Sequence, residues 1–124
     1  MTVYVDDMRA PFGRLVMAHM IADTDEELHE MANLIGIKRE WHQAPPRYNS
    51  HYDISMSKRK LAVERGAVEI TIRQTAAMCA RRRDTGILGD PADAMAWFCN
   101  RNGLAPDDVE PVAPVTPHTP DLFG

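Results

Sequence analysis

Cysteine is scarce in this chain: Cys79 and Cys99 stand alone in 124 residues, with no CxxC spacing. That excludes a disulfide scaffold and gives no zinc ribbon, so both read as small buried hydrophobes in a reducing compartment. No apolar run approaches the roughly 20 residues that a membrane-spanning helix needs. The opening MTVYVDDMRAP puts Asp6 and Asp7 where a secretory leader would carry its apolar segment. A cytoplasmic protein without a membrane partner is therefore expected. GxGxxG, GxxxxGK[ST], HExxH and GxSxG are all absent, which removes the motif basis for a Rossmann cofactor, a P-loop, a zincin or a hydrolase elbow. A large excess of one charge is missing too. A net charge of -4 argues against indiscriminate binding to nucleic acid or anionic lipid.

What is present is a repeat. Asp23, Ala32 and Gly36 recur thirty residues later as Asp53, Ala62 and Gly66. Each copy has an Asp, a helical pattern, a Gly stop and a strand-like run, and successive units of this kind build α/β sheets. A first strand fits Thr2 to Val5, ending at the Asp6-Asp7 pair, and a loop with Pro11 and Gly13 covers 9–14. A strand follows over 15–22. Thr24 and Glu27 form a capping box, Leu28, Met31, Ala32 and Ile35 make one helical stripe, and Gly36 ends it. Residues 37–43 are predicted to be a strand and the APPRYNS segment an irregular loop.

A short strand over 52–54 then leads to a helix capped by Ser55 or Ser57 and stopped by Gly66. Residues 67–72 alternate like a strand, and helical spacing resumes from Thr71 to Arg83. Asp90, Pro91 and the Ala94, Trp97, Phe98 stripe mark a last helix ending at Gly103. The expectation is one small α/β domain, residues 1–103, with a mixed or mostly parallel sheet flanked by helices. Residues 104–124 hold five of the nine prolines and read as an extended tail.

Three blocks carry a resemblance: TVYVDDMR at the start, ADTDEELHEMA, and HYDISMSKRKLAVERGAVEIT. Together, over about residues 2–75, they resemble the bacterial and phage family called domain of unknown function 4031. The resemblance implies no activity. It does imply a boundary, with the Pro-rich tail outside the shared domain.

The sharpest chemistry lies in Asp6 and Asp7 at a strand end, His51 and Asp53 in HYD, and Lys58 and Arg59 one turn into the next helix. Ligands of open α/β sheets gather beyond strand carboxyl ends. Asp6, His51 and Asp53 are the catalytic candidates, one of them a general base on water, and Asp6 with Asp53 the candidate ligands for Mg²⁺ or Mn²⁺. Lys58 and Arg59 would receive a phosphate, with Asp7, Tyr52 and Trp41 completing the ligand-facing set and Trp41 able to stack a base. Together these suggest binding of a nucleotide or nucleic acid end, with or without phosphoester hydrolysis. A structural alternative stands beside it, because Asp23 and Asp53 precede helices and could simply cap them. His29 is expected on the water-facing side of its helix, and His19 and His42 as structural histidines on strands.

The tail suggests a different function. Its last residues, Thr119 to Gly124, resemble the peptides by which bacterial replication and repair proteins bind the sliding clamp, with Leu122 and Phe123 as anchors. Thr119 stands where that pattern has Gln, and Pro120 where Leu is common. On this view the protein is a non-catalytic interaction module of phage or bacterial replication or defence.

Overall fold

The computed structural model of the protein describes residues 2–104. Five strands, β1 (Val3–Val5), β2 (Ala10–Phe12), β3 (Leu15–Ala22), β4 (Tyr52–Ser55) and β5 (Val68–Glu69), form one sheet. Four helices accompany it: α1 (Asp25–Leu34), α2 (Met56–Glu64), α3 (Ile72–Thr85) and α4 (Pro91–Asn102). The sheet is mixed. β3 pairs antiparallel with β1, β2 and β4, and β5 joins β1 in the parallel pair.

Side-chain alternation divides the sheet into two covered faces. Val3, Val5, Met20, Ala22, Tyr52 and Ile54 point to one face, where Leu28, Met31 and Ala32 of α1 and Ala62 of α2 close a core. Tyr4 and Ile21 point to the other, against Ala77 and Met78 of α3 and Ala94 of α4. Each helix starts on the chemistry written locally: Thr24 accepts from the Glu27 amide, Ser55 from the Lys58 amide, and Asp90 from the Ala92 and Asp93 amides. Thr71 and Gln74 form a full capping box on α3. Asp23 and Asp53 are not the caps; those fall one and two residues later. Among the described residues, no helix is long and apolar enough to cross a membrane.

Three segments differ from the sequence reading, the first being the strand expected over 67–72, which shrinks to Val68–Glu69 with Ile72 already in α3. Residues 37–43 make no strand: Arg39–Trp41 is a single 3-10 turn, and Gln43 contributes one isolated bridge to His51. Lys38, Arg39 and Glu40 are all exposed, so there is no half-buried alternation for a sheet to use. The 9–14 segment is not a plain loop, because β2 turns through Gly13 and Arg14 into β3 with Phe12 opposite Leu15. Pro11 is tolerated there because β2 pairs on one side only.

The register shifts between β1 and β2. Val5 lies opposite Met20 and Ala10 opposite Met17, so residues 6–9 face only Ala18 and His19. The surplus bulges out, with Arg9 at φ 54°. Bulges of this sort re-aim side chains beside functional sites.

Candidate functional site

The bulge turns Asp6 back into the protein. Its amide donates to the His19 carbonyl, and its carboxylate, fully buried, accepts four hydrogen bonds. Oδ1 takes the amides of His19 (2.9 Å) and Met8 (3.1 Å). Oδ2 takes His19 Nδ1 (2.8 Å) and the Thr75 hydroxyl (2.9 Å). Four acceptor positions are what a carboxylate offers. Burial alone would raise the Asp6 pKa, but the His19 bond and charge and the two amides outweigh it and hold it below the usual carboxylate value.

Neighbouring strands supply the rest. His19 and Asp53 are direct cross-strand partners in the β3–β4 pair, so their side chains leave the same face. His51 stands two residues before Asp53 and returns to that face by the period of two. Tyr52 and Ile54 consequently face the opposite core. His19, His51 and Asp53 are 5%, 3% and 1% exposed, so this is an interior polar centre.

The tautomers follow from the partners. His19 Nδ1 faces a carboxylate and donates to it, so in the neutral ring Nε2 is a lone pair, 3.9 Å from Asp53 Oδ1. His51 Nδ1 faces the Asn49 carbonyl at 2.6 Å. A carbonyl only accepts, so Nδ1 carries the hydrogen and Nε2 is again a lone pair. It lies 3.6 Å from Asp53 Oδ1 and has no hydrogen-bond partner. Gln43 donates to Asp53 Oδ2 at 2.6 Å. Thus His19, His51 and Asp53 each present one ligand atom, all within 4.8 Å of one another, a set that could hold a metal ion.

Environment separates the two imidazoles. For His19, burial pulls the pKa down, yet the Asp6 bond and charge and then Asp53 raise it above the ordinary value. For His51, burial dominates the Asn49 bond and the Asp53 charge, and the pKa falls. α3 covers the centre. Besides Thr75, it contributes Arg82, which is 4% exposed and donates four bonds, two to the Tyr48 carbonyl and one each to Ala22 and Ser50. That clamp fixes the segment leading into His51.

Asp6, His51 and Asp53 therefore gather around His19, while other candidates go elsewhere. Asp6, expected as a metal ligand, has its four acceptor positions filled by hydrogen bonds, one of them from His19 Nδ1. Lys58, expected to receive phosphate, donates to the Ile35 carbonyl at the end of α1 (2.8 Å). Arg59 donates to the Asp6 carbonyl (2.7 Å) and pairs with Glu69. Asp7 accepts from the Ile72 amide at the start of α3. Tyr52 is buried on the opposite face with its hydroxyl bonded to His29, and Trp41 packs half-buried against that same core. Leu122 and Phe123 lie outside the described residues. His19, Gln43, Thr75 and Arg82 were not legible as site residues. The available signal for His19 was a lone polar residue inside the apolar run LVMAHMIA.

Comparison with known proteins gives one family match: the family described as "Protein of unknown function (DUF4031)" matches residues 3–82, a span that holds every residue of this centre. No curated protein and no solved structure matches the chain.

Proposed function

We propose that this chain, which belongs to the DUF4031 family of proteins of unknown function, hydrolyses a phosphoester of a nucleotide or nucleic acid end at the Asp6–His19–Asp53–His51 centre. The observation that carries the reading is the buried, partnerless Nε2 lone pair of His51 beside the Asp53 carboxylate. Burying such a group without a partner costs about 1–3 kcal/mol, and strained polar groups of this kind concentrate where chemistry is done. Water activated there gives one proton to the centre as it attacks phosphorus, the ester P–O bond breaks, and the centre returns that proton to the leaving alcohol. Arg59 is the cation that would meet the phosphate. It touches the Asp6 carbonyl, and its second contact is an ion pair with Glu69, which is 62% exposed; a phosphate can displace so weak a pair.

The test is phosphate release from mononucleotides and from 5′- and 3′-phosphorylated oligonucleotides. Wild-type protein should turn over at least one class. His51→Ala and Asp53→Asn should each lower the rate about 100-fold or more, and Arg59→Ala should raise KM. Phosphate binding without turnover would favour a non-catalytic module instead.

A further inference from the structure

We infer that His19 Nε2, His51 Nε2 and Asp53 Oδ1 together bind one divalent transition-metal ion of the zinc class. The inference concerns the centre of the proposed hydrolysis and names the group that would activate its water, but it stands on the donor geometry alone.

Both imidazoles have their Nδ1 hydrogens committed, one to the Asp6 carboxylate and one to the Asn49 carbonyl. Metal-binding histidines are held this way: the outer nitrogen donates to a carboxylate or carbonyl, which fixes the tautomer and aims Nε2 at the ion. The third donor is held likewise, by Gln43 on Asp53 Oδ2. All three donors thus have their outer partner in place. Without an ion, the two nitrogens and Asp53 Oδ1 approach only to 3.9 and 3.6 Å, too far for hydrogen bonds. Bonds of about 2.0–2.1 Å to one ion would put tetrahedral donors about 3.4 Å apart. Against that spacing the two nitrogen–oxygen distances need to close by about 0.2 to 0.5 Å, and a pair at the 4.8 Å limit of the set by about 1.4 Å.

Donor chemistry selects the ion. Magnesium favours oxygen ligands in near-ideal octahedra, whereas two imidazoles and a carboxylate suit zinc and neighbouring transition ions. The Mg²⁺ expected from a carboxylate pair is therefore disfavoured. Three protein ligands leave a fourth position for water, the arrangement in which zinc lowers the pKa of its water toward neutrality.

The experiment uses the full, untagged chain, stripped with chelator and titrated with Zn²⁺, Co²⁺ and Mg²⁺ by calorimetry, with Co²⁺ absorption reporting imidazole ligation. One Zn²⁺ per chain is expected, with a dissociation constant of about 1 μM or tighter and Mg²⁺ at least about 100-fold weaker. His51→Ala and His19→Ala should each weaken Zn²⁺ binding about 100-fold, and Asp6→Asn about 10-fold to 100-fold through His19. Should the alanine variants not fold, Asp53→Asn and the rise in wild-type melting temperature on adding Zn²⁺ give the same reading. Absence of saturable Zn²⁺ binding by the wild type, or undiminished affinity in a folded His51 variant, overturns the inference. Zinc bound without turnover rejects only the hydrolysis; turnover that survives metal stripping in a chain that binds no zinc rejects only the ion.

Discussion

At the scale of single residues, the centre depends on side chains that neighbouring elements hold in place. Thr75 donates to Asp6 from α3, and Thr75→Val keeps its shape while removing that bond. A hydrogen bond to a charged group contributes about 1.5–3 kcal/mol, so a loss of that size is expected in urea unfolding, with His19 left less firmly aimed. A second expectation concerns pH. His29 and His42 pack edge to face with centroids 4.5 Å apart. Burial first, then the charge of the facing imidazole for His29, lowers its pKa; burial likewise lowers that of His42, partly countered by Asp25. A histidine lowered on folding contributes full stability above the unfolded value of about 6.5 and loses it as pH falls from there through the folded value. The melting temperature should therefore drop as pH falls below about 6.5. His42→Gln, which retains a partner for Ser50, should make that drop shallower; an unchanged slope would show that His42 does not titrate with folding.

At the scale of elements, the helices were readable because their signals are local. Thr24 with Glu27, the apolar stripe of α1, and the Asp90-Pro91 start of α4 all act within a turn, and each is where the sequence puts it. Ser55 and Ser57 were equal candidates to cap α2 until the backbone settled it: Ser55 accepts from the Lys58 amide, and Ser57 is exposed with its hydroxyl against that of Ser55. Ser55→Ala is expected to cost about 1 kcal/mol and Ser57→Ala less than about 0.5 kcal/mol, read as shifts in the urea midpoint. Strands were harder. β5 is only two residues long and owes its place to β1, and the 37–43 segment has strand-forming residues but no neighbouring strand beyond one bridge. A strand needs a partner that its own sequence does not contain.

At the scale of the whole molecule, Arg82 ties α3 to the end of β3 and to the segment before His51. Arg82→Met leaves the Tyr48 carbonyl and the buried Ala22 and Ser50 bonds without their donor. A loss of about 3 kcal/mol is expected in chemical unfolding, together with weaker zinc binding by the folded fraction, because the Asn49 carbonyl that orients His51 lies in that segment. By itself, the sequence determined the α/β class, the starts of α1 and α4 and the side-by-side placement of His51 and Asp53, since caps, the 3.6-residue stripe and the period of two operate within a few residues. Only tertiary structure decided that His19 stands between Asp6 and Asp53, because that follows from the β3–β4 register and from a bulge of residues 6–9, both set by pairing across distant parts of the chain. It likewise drew Lys58 to the Ile35 carbonyl and Arg59 to Asp6 and Glu69, since the partner of a long cation is chosen by whichever acceptor the packed fold brings within its reach.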